Sequence, residues 1–277
     1  MKRIIAVFIT ILMLTASAAG CAKAKDAAID AAQEAAIAAS GNVDEAVTDV
    51  AEAATGAAQS GDETAAAFYS AYMDAKSEVL NKITEGLSNN PETLMTAMSY
   101  LGVTLSDLYM LPALYFGLGE TSVAAGLAMM GAKDVTYDEQ GNTYTVSYKN
   151  SDEKETKLTG TYDKGKSLVS VGTTDGKEDV FSEVYRTSFG YVGQFYYIGD
   201  DGTTTLYQLA VSGTDGVIGM ETGGSRPAAL TGNEAADFPK AATQWFAING
   251  MTITGVDAEG KSISFEYVPS ERDDGNG

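Results

Sequence analysis

Two stretches of this 277-residue chain fit the phosphate-loop expression G-x-x-x-x-G-K-[ST] letter for letter: Gly160 to Ser167 and Gly255 to Ser262. That chemistry needs a strand entering the loop and a helix starting at its lysine, so that backbone amides and the helix terminus converge on phosphate. Here strand-like runs follow instead, Leu168-Val169-Ser170-Val171 and Ile263-Ser264-Phe265-Glu266. Asp163 and Glu259 also put a carboxylate where phosphate wants donors. Both segments are read as hairpins, Thr159-Gly160 to Leu168 and Thr254-Gly255 to Ile263, and no nucleotide partner is expected. A glycosidase needs only two carboxylates, and Glu183 and Glu221 lie in strand-like runs from which they could face a cleft. Tyr185, Tyr191, Tyr196, Tyr197 and Tyr207 read first as cross-strand packing and second as a platform for a sugar or peptide, because tyrosine offers an apolar face with a polar tip.

The missing residue types narrow the chemistry further. The chain has no histidine and one cysteine, so it cannot assemble a Ser-His-Asp triad, a Cys-His pair, a zinc site or a haem axial histidine. An internal disulfide is likewise excluded. Ser151-x-x-Lys154 resembles the S-x-x-K of penicillin-recognising enzymes, but it sits in the polar turn Asn150 to Glu155 without the companion motifs. The Asp-Gly turns lack the spacing of a calcium loop. No catalytic residue, metal site or cofactor is assigned. Lys+Arg number 18 against 38 Asp+Glu, a formal charge of -20, so nucleic acid is not an expected partner.

Met1-Lys2-Arg3 is a short basic region, Ile4 to Leu14 an apolar run broken only by Thr10, and small residues follow to Gly20-Cys21. The apolar run is shorter than the roughly 20 residues a bilayer span requires, which is the layout of a signal peptide. Ser17-Ala18-Ala19-Gly20-Cys21 resembles a bacterial lipobox, with Ala18 where that motif usually has Leu. The resemblance implies cleavage before Cys21, diacylglycerol on its sulfur, and a mature chain tethered to the extracytoplasmic face of a membrane. Loss of Lys2 and Arg3 takes the charge to -22.

Ala22 to about Ser60 is Ala-rich with too little bulk for a core and is read as a partly helical spacer. Residues 62–132 predict a small helical unit. Its first helix opens at the capping box Ser60-x-x-Glu63 and stops near Gly86. A second opens at Asn90-Pro91, buries Leu94, Met95, Met98 and Leu101, and ends before Gly102. Thr104-x-x-Asp107 starts a third, and a fourth follows Gly119. Six of the ten methionines fall between Met73 and Met130, and Met95, Met98, Met110, Tyr115, Met129 and Met130 form a candidate apolar pocket where these helices cover a sheet.

From 133 to 268 the grammar changes to short β-branched and aromatic runs separated by acidic-Gly turns: Asp138 to Gly141, Asp163 to Gly165, Asp175-Gly176, Asp200 to Gly202, Asp215-Gly216 and Asp257 to Gly260. Such a series predicts an antiparallel meander, a curved sheet or partial barrel, within an α+β fold. Phe238 to Phe246 is read as a short helix before the last hairpin, and 269–277 as a frayed tail. The hairpins with Thr-Gly starts resemble, faintly, lipocalin-like domains of bacterial lipoproteins, which implies ligand binding and carries over no residue. The functional expectation is a lipid-anchored, non-enzymatic binding or envelope-scaffold protein with an apolar, glycan or peptide ligand. An extracytoplasmic hydrolase using paired carboxylates is the alternative.

Overall fold

The computed structural model describes residues 63–90 and 92–269; within these, the side chains of Met95, Met98, Ser99, Leu101 and Leu105 lie outside the description. Helix α1 spans Ala65–Ser88, α2 Leu94–Met110 and α3 Glu120–Met129, with a one-turn 3-10 helix at Leu111–Tyr115 between the last two. Eleven antiparallel strands follow: β1 Lys133–Gln140, β2 Thr143–Lys149, β3 Glu155–Asp163, β4 Ser167–Thr174, β5 Lys177–Arg186, β6 Tyr191–Ile198, β7 Thr204–Ser212, β8 Asp215–Thr222, β9 Gln244–Asn249, β10 Thr252–Val256 and β11 Ser262–Glu266. They form one sheet in strict sequence order, a meander whose first and last strands do not pair. The fold is α+β, as the alternating runs and regular turns imply.

Period-2 alternation turns one side of every strand toward the helices. Cross-strand partners trace that side as rows: Val146, Leu158, Gly172 and Val180 across β2 to β5, and Gly193, Leu209, Ile218 and Phe246 across β6 to β9. α1 supplies the opposing surface with Phe68, Tyr72, Val79, Ile83 and Leu87, all buried. Its 24 residues span about 36 Å at about 1.5 Å per residue. That matches the eight strand steps from β3 to β11 at about 4.8 Å each. Its ends touch those two places: Glu63, just before it, meets Tyr162 on β3, and Gly86 meets Ile253 and Phe265 on β10 and β11.

Three helix boundaries differ from the expectation. Thr64 caps α1, its Oγ1 accepting from the Ala67 N–H at 3.1 Å, and Glu63 is turned instead toward Arg186. α1 stops at Ser88, near Gly86 as expected, whereas Gly102 ends nothing. A Cβ on Gly86 would lie 2.3 Å from Ile253 Cδ1 and one on Gly102 2.7 Å from Tyr207 Oη, so both mark close helix-to-sheet approach. The expected second and third helices are therefore one, α2, capped at Thr93 rather than Asn90 and broken only where Pro112 enters the 3-10 turn. Ser60 and Pro91 lie outside the described residues, as do Cys21, the expected leader 1–20, the segment read as a spacer and residues from 270.

Most hairpin turns lie where the acidic-Gly pairs stand. Asp175 and Gly176 sit at φ 50° and 76°, the paired positive values of a two-residue hairpin. Asp215-Gly216, however, are the first residues of β8, with the turn at Gly213-Thr214, and β1 runs on to Gln140. Only Phe238–Ala241 is helical, as one 3-10 turn; Trp245 and Phe246 belong to β9.

On the sheet's other side, residues 223–243 run back across β5 to β8 as a strap. Arg226 lies over the Phe181 ring at 3.6 Å, Tyr196 Oη donates to Gly224 O at 3.3 Å, and Leu230 packs on Val192 and Ala210.

Candidate binding surface

The phosphate-loop matches resolve into hairpins. Gly160 lies in β3 and Ser167 opens β4, while Gly255 lies in β10 and Ser262 opens β11; no helix begins at Lys166 or Lys261. Their leading glycines have another cause. A Cβ on Gly160 would sit 2.3 Å from the Phe116 ring, and one on Gly255 2.4 Å from the Phe246 ring, so each glycine makes room for an aromatic plate on the helix side. Gly165 and Gly260 adopt φ 71° and 79° and make the turns. Ser151 and Lys154 fall in the β2–β3 turn.

The suggested carboxylate pair is not assembled. Glu183 is on β5 and Glu221 on β8, three strand steps or about 14 Å apart, against the roughly 5 to 9.5 Å of a glycosidase pair. Glu183 is instead a buried clamp: Gln194 Nε2 donates to its Oε2 at 2.5 Å and the Leu230 N–H at 2.9 Å, fastening the strap to the sheet. Among the described residues no group of three or more His, Cys, Asp or Glu could hold a metal ion.

The methionine pocket also separates. Met110 is buried in the packed core, Tyr115 lies across α3, its hydroxyl where a Gly126 Cβ would be, and Met130 packs at the core's margin. Met129 is 86% exposed. It stands two residues from Leu127, about 200° around α3 from the buried Val123 and Leu127 stripe, so it faces away. Met95 and Met98 lie outside the described side chains.

What the fold does bring together is a tyrosine shelf at the end of the helix-facing side. Tyr109, in the last turn of α2, packs tilted against Tyr197 of β6 with centroids 4.6 Å apart at 33°, and Tyr109 is 43% exposed. Phe195 lies 6.4 Å from Tyr109 and from Tyr207. Tyr148 on β2 joins them, its hydroxyl pushed up to about 12 by burial and by the nearby charge of Asp179. Burial, with the hydrogen bond to Tyr109, raises Tyr197 further. In the same row the Thr156 hydroxyl is buried with no hydrogen-bond partner among the described residues.

Asp179 stands beside this shelf because the ladder slips. Gly172 pairs with Val180 but Thr173 pairs with Glu178, leaving Asp179 as the extra residue of a β-bulge. A bulge re-aims a side chain out of the regular alternation, and here the carboxylate comes within electrostatic reach of Tyr148 and Tyr197. Burial raises Asp179 above the ordinary carboxylate range, a Thr174 hydrogen bond lowers it, and Asp200 raises it. Asp200 is exposed and meets Lys154 at 3.3 Å. The sequence had singled out Tyr197 and Tyr207; Tyr109 was hidden in an apolar helix and the bulge had no local signal. No helix among the described residues is long and apolar enough to cross a membrane. No protein-family model matches the chain, and neither a curated protein nor a solved structure does.

Proposed function

We propose that this chain is a lipid-anchored, extracytoplasmic binding protein without catalytic activity, held to the membrane through Cys21 and presenting the tyrosine shelf to a glycan. The observation that carries the binding role is the exposed Tyr109 packed against Tyr197 with the bulged Asp179 at its rim. Flat apolar faces receive the C–H face of a sugar ring, and carboxylates and phenols around them accept and donate hydrogen bonds to its hydroxyls. The anchor rests on the resemblance of Ser17 to Cys21 to a lipobox, and the spacer from Ala22 to Ser60 would carry the folded body off the bilayer by up to about 1.5 Å per residue where helical.

A thermal-shift and calorimetric screen with oligosaccharides, peptides and fatty acids tests the reading. Soluble oligosaccharides should bind wild type, and Tyr109→Ala should abolish binding while the protein remains cooperatively folded, melting only a few degrees lower for the lost contacts to Tyr197 and Phe195. Binding only of peptides or fatty acids, or glycan binding indifferent to Tyr109→Ala, would contradict it. For the anchor, Cys21→Ser should move the mature protein out of the detergent phase or leave the precursor uncleaved.

A further inference from the structure

Deep between the helices and the sheet lies one charged pair, Lys76 from the middle of α1 and Asp107 from the last turns of α2, in direct contact and only 6% and 7% exposed at their side chains. Three tyrosines lie within its electrostatic reach. Tyr69 and Tyr72 of α1 and Tyr207 of β7 all lie close enough for Asp107 to disfavour their ionisation, and burial raises each of them first. Tyr72 reaches the sheet at Gly193, where a Cβ would lie 2.5 Å from its hydroxyl. Phenols of both α1 and the sheet thus lie within electrostatic reach of the pair.

An ammonium carries three donors, yet the hydrogen bonding of Lys76 Nζ among the described residues consists of one acceptor, Asp107 Oδ1. Two N–H groups of a buried cation left unmatched are costly, and removing both ions from water costs several kcal/mol each before their attraction is counted. A secondary amide has one N–H and one carbonyl, and no charge. The surroundings suit that group better than they suit two ions.

We propose that Lys76 and Asp107 condense in the folded protein to an isopeptide bond, a covalent staple between α1 and α2. In the first step the proton passes from the Lys76 ammonium to the Asp107 carboxylate, giving a neutral amine and a neutral acid. Nζ then attacks Cγ to form a C–N bond, and one Cγ–O bond breaks. The departing hydroxyl takes a proton from nitrogen and leaves as water. No electrons are gained or lost and no co-reactant is needed. The fold provides the two conditions for this reaction: the reacting groups are held in contact, replacing an encounter by an effective molarity of about 10⁵ M or more, and the dry surroundings favour the neutral form of the Asp107 carboxyl. Burial pushes the Asp107 carboxyl up more than Lys76 pulls it down, which favours the acid form the attack requires. A staple spanning 31 residues would constrain the unfolded chain as a disulfide does, in a protein whose single cysteine cannot form one internally.

Peptide mapping of the wild-type mature protein tests this. After denaturation and trypsin digestion, cleavage at Lys76 should be absent, and a branched peptide should join the segment containing Lys76 to the segment containing Asp107, lighter than their sum by one water, about 18 Da. Asp107→Asn should give the same branch with ammonia lost instead, and Lys76→Arg should give only linear peptides. Full-mass linear peptides ending at Lys76, recovered from folded wild-type protein, would overturn the proposal whatever the variants do. So would a branch that persists in Lys76→Arg.

Discussion

Arg186 at the end of β5 forks onto the Glu63 carboxylate, Nη1 donating to Oε2 at 2.9 Å and Nη2 to Oε1 at 2.7 Å. The guanidinium also lies 5.1 Å above the Phe68 ring and donates to Gly165 O and Tyr191 Oη, so it ties the start of α1 to β5, β6 and the β3–β4 turn. Both charges are about one-third exposed, so screening limits the pair. Arg186→Ala should lower stability by about 1 kcal/mol, less in high salt. Arg186→Lys should recover only part of it, because an ammonium cannot make the fork. Hydrogen exchange at Ala65 to Tyr69 should accelerate in both variants, and unchanged exchange there would separate the pair from the helix start.

This pair also explains what the sequence concealed. Ser60-x-x-Glu63 has the form of a capping box, but Glu63 is drawn to a partner 123 residues away, and Thr64 takes the cap. Hairpin turns were legible because Asp-Gly and Asn-containing loops act locally, through positive φ and side-chain bonds to their own backbone. Glycine inside an element was not. Gly86, Gly102 and Gly216 carry the letter of a stop or turn, yet they face Ile253, Tyr207 and Val79 across the helix–sheet interface, and only the tertiary structure distinguishes the two uses. The shelf was half legible for the same reason: the strand tyrosines alternate visibly, whereas Tyr109 and the bulge at Asp179 depend on which strands and helices meet.

The hairpin glycines reverse the order of sensitivity that a phosphate site would show. Gly160→Ala forces a methyl group into the Phe116 ring, and Phe116 is fixed by stacking on Tyr144 at 5.4 Å, so the substitution should cost about 1 to 3 kcal/mol. Lys166→Ala removes an exposed contact to Asp163 at 3.5 Å and should change stability by less than about 0.5 kcal/mol. Chemical denaturation of the two variants distinguishes these. A Lys166-dependent rise in melting temperature with ATP would reinstate a nucleotide site.

Glu183 holds the strap through the Gln194 side chain and the Leu230 N–H. Glu183→Ala leaves the Leu230 N–H buried without an acceptor, while Gln194 Nε2 keeps only the Ala228 carbonyl at 2.9 Å, and should cost about 1 to 3 kcal/mol. The effect should be local: residues 224–232 should exchange faster while α1 keeps its protection. If α1 loosens equally, the strap is integral to the whole fold rather than a clamped cover.

At the shelf, stability and binding should move in opposite directions with one substitution. Asp179 has its carboxyl raised above 3.8, first by burial and further by Asp200, with the Thr174 hydrogen bond and Lys154 opposing. Because its folded-state value is the higher one, the folded protein holds a proton that the unfolded chain has already lost across the interval between the two. Stability therefore falls as pH rises from near 3.8 through the raised value, and the deficit persists at neutral pH. Asp179→Asn keeps an acceptor for Thr174 but removes the ionisation, so it should melt higher than wild type at pH 7 and at the same temperature near pH 3. The same change takes an anionic acceptor from the rim of the Tyr109 and Tyr197 pair and should weaken glycan binding. A variant that is more stable yet binds less well is the signature of a carboxylate kept for its ligand. Equal melting at both pH values would remove the electrostatic strain, and undiminished binding would remove Asp179 from the site.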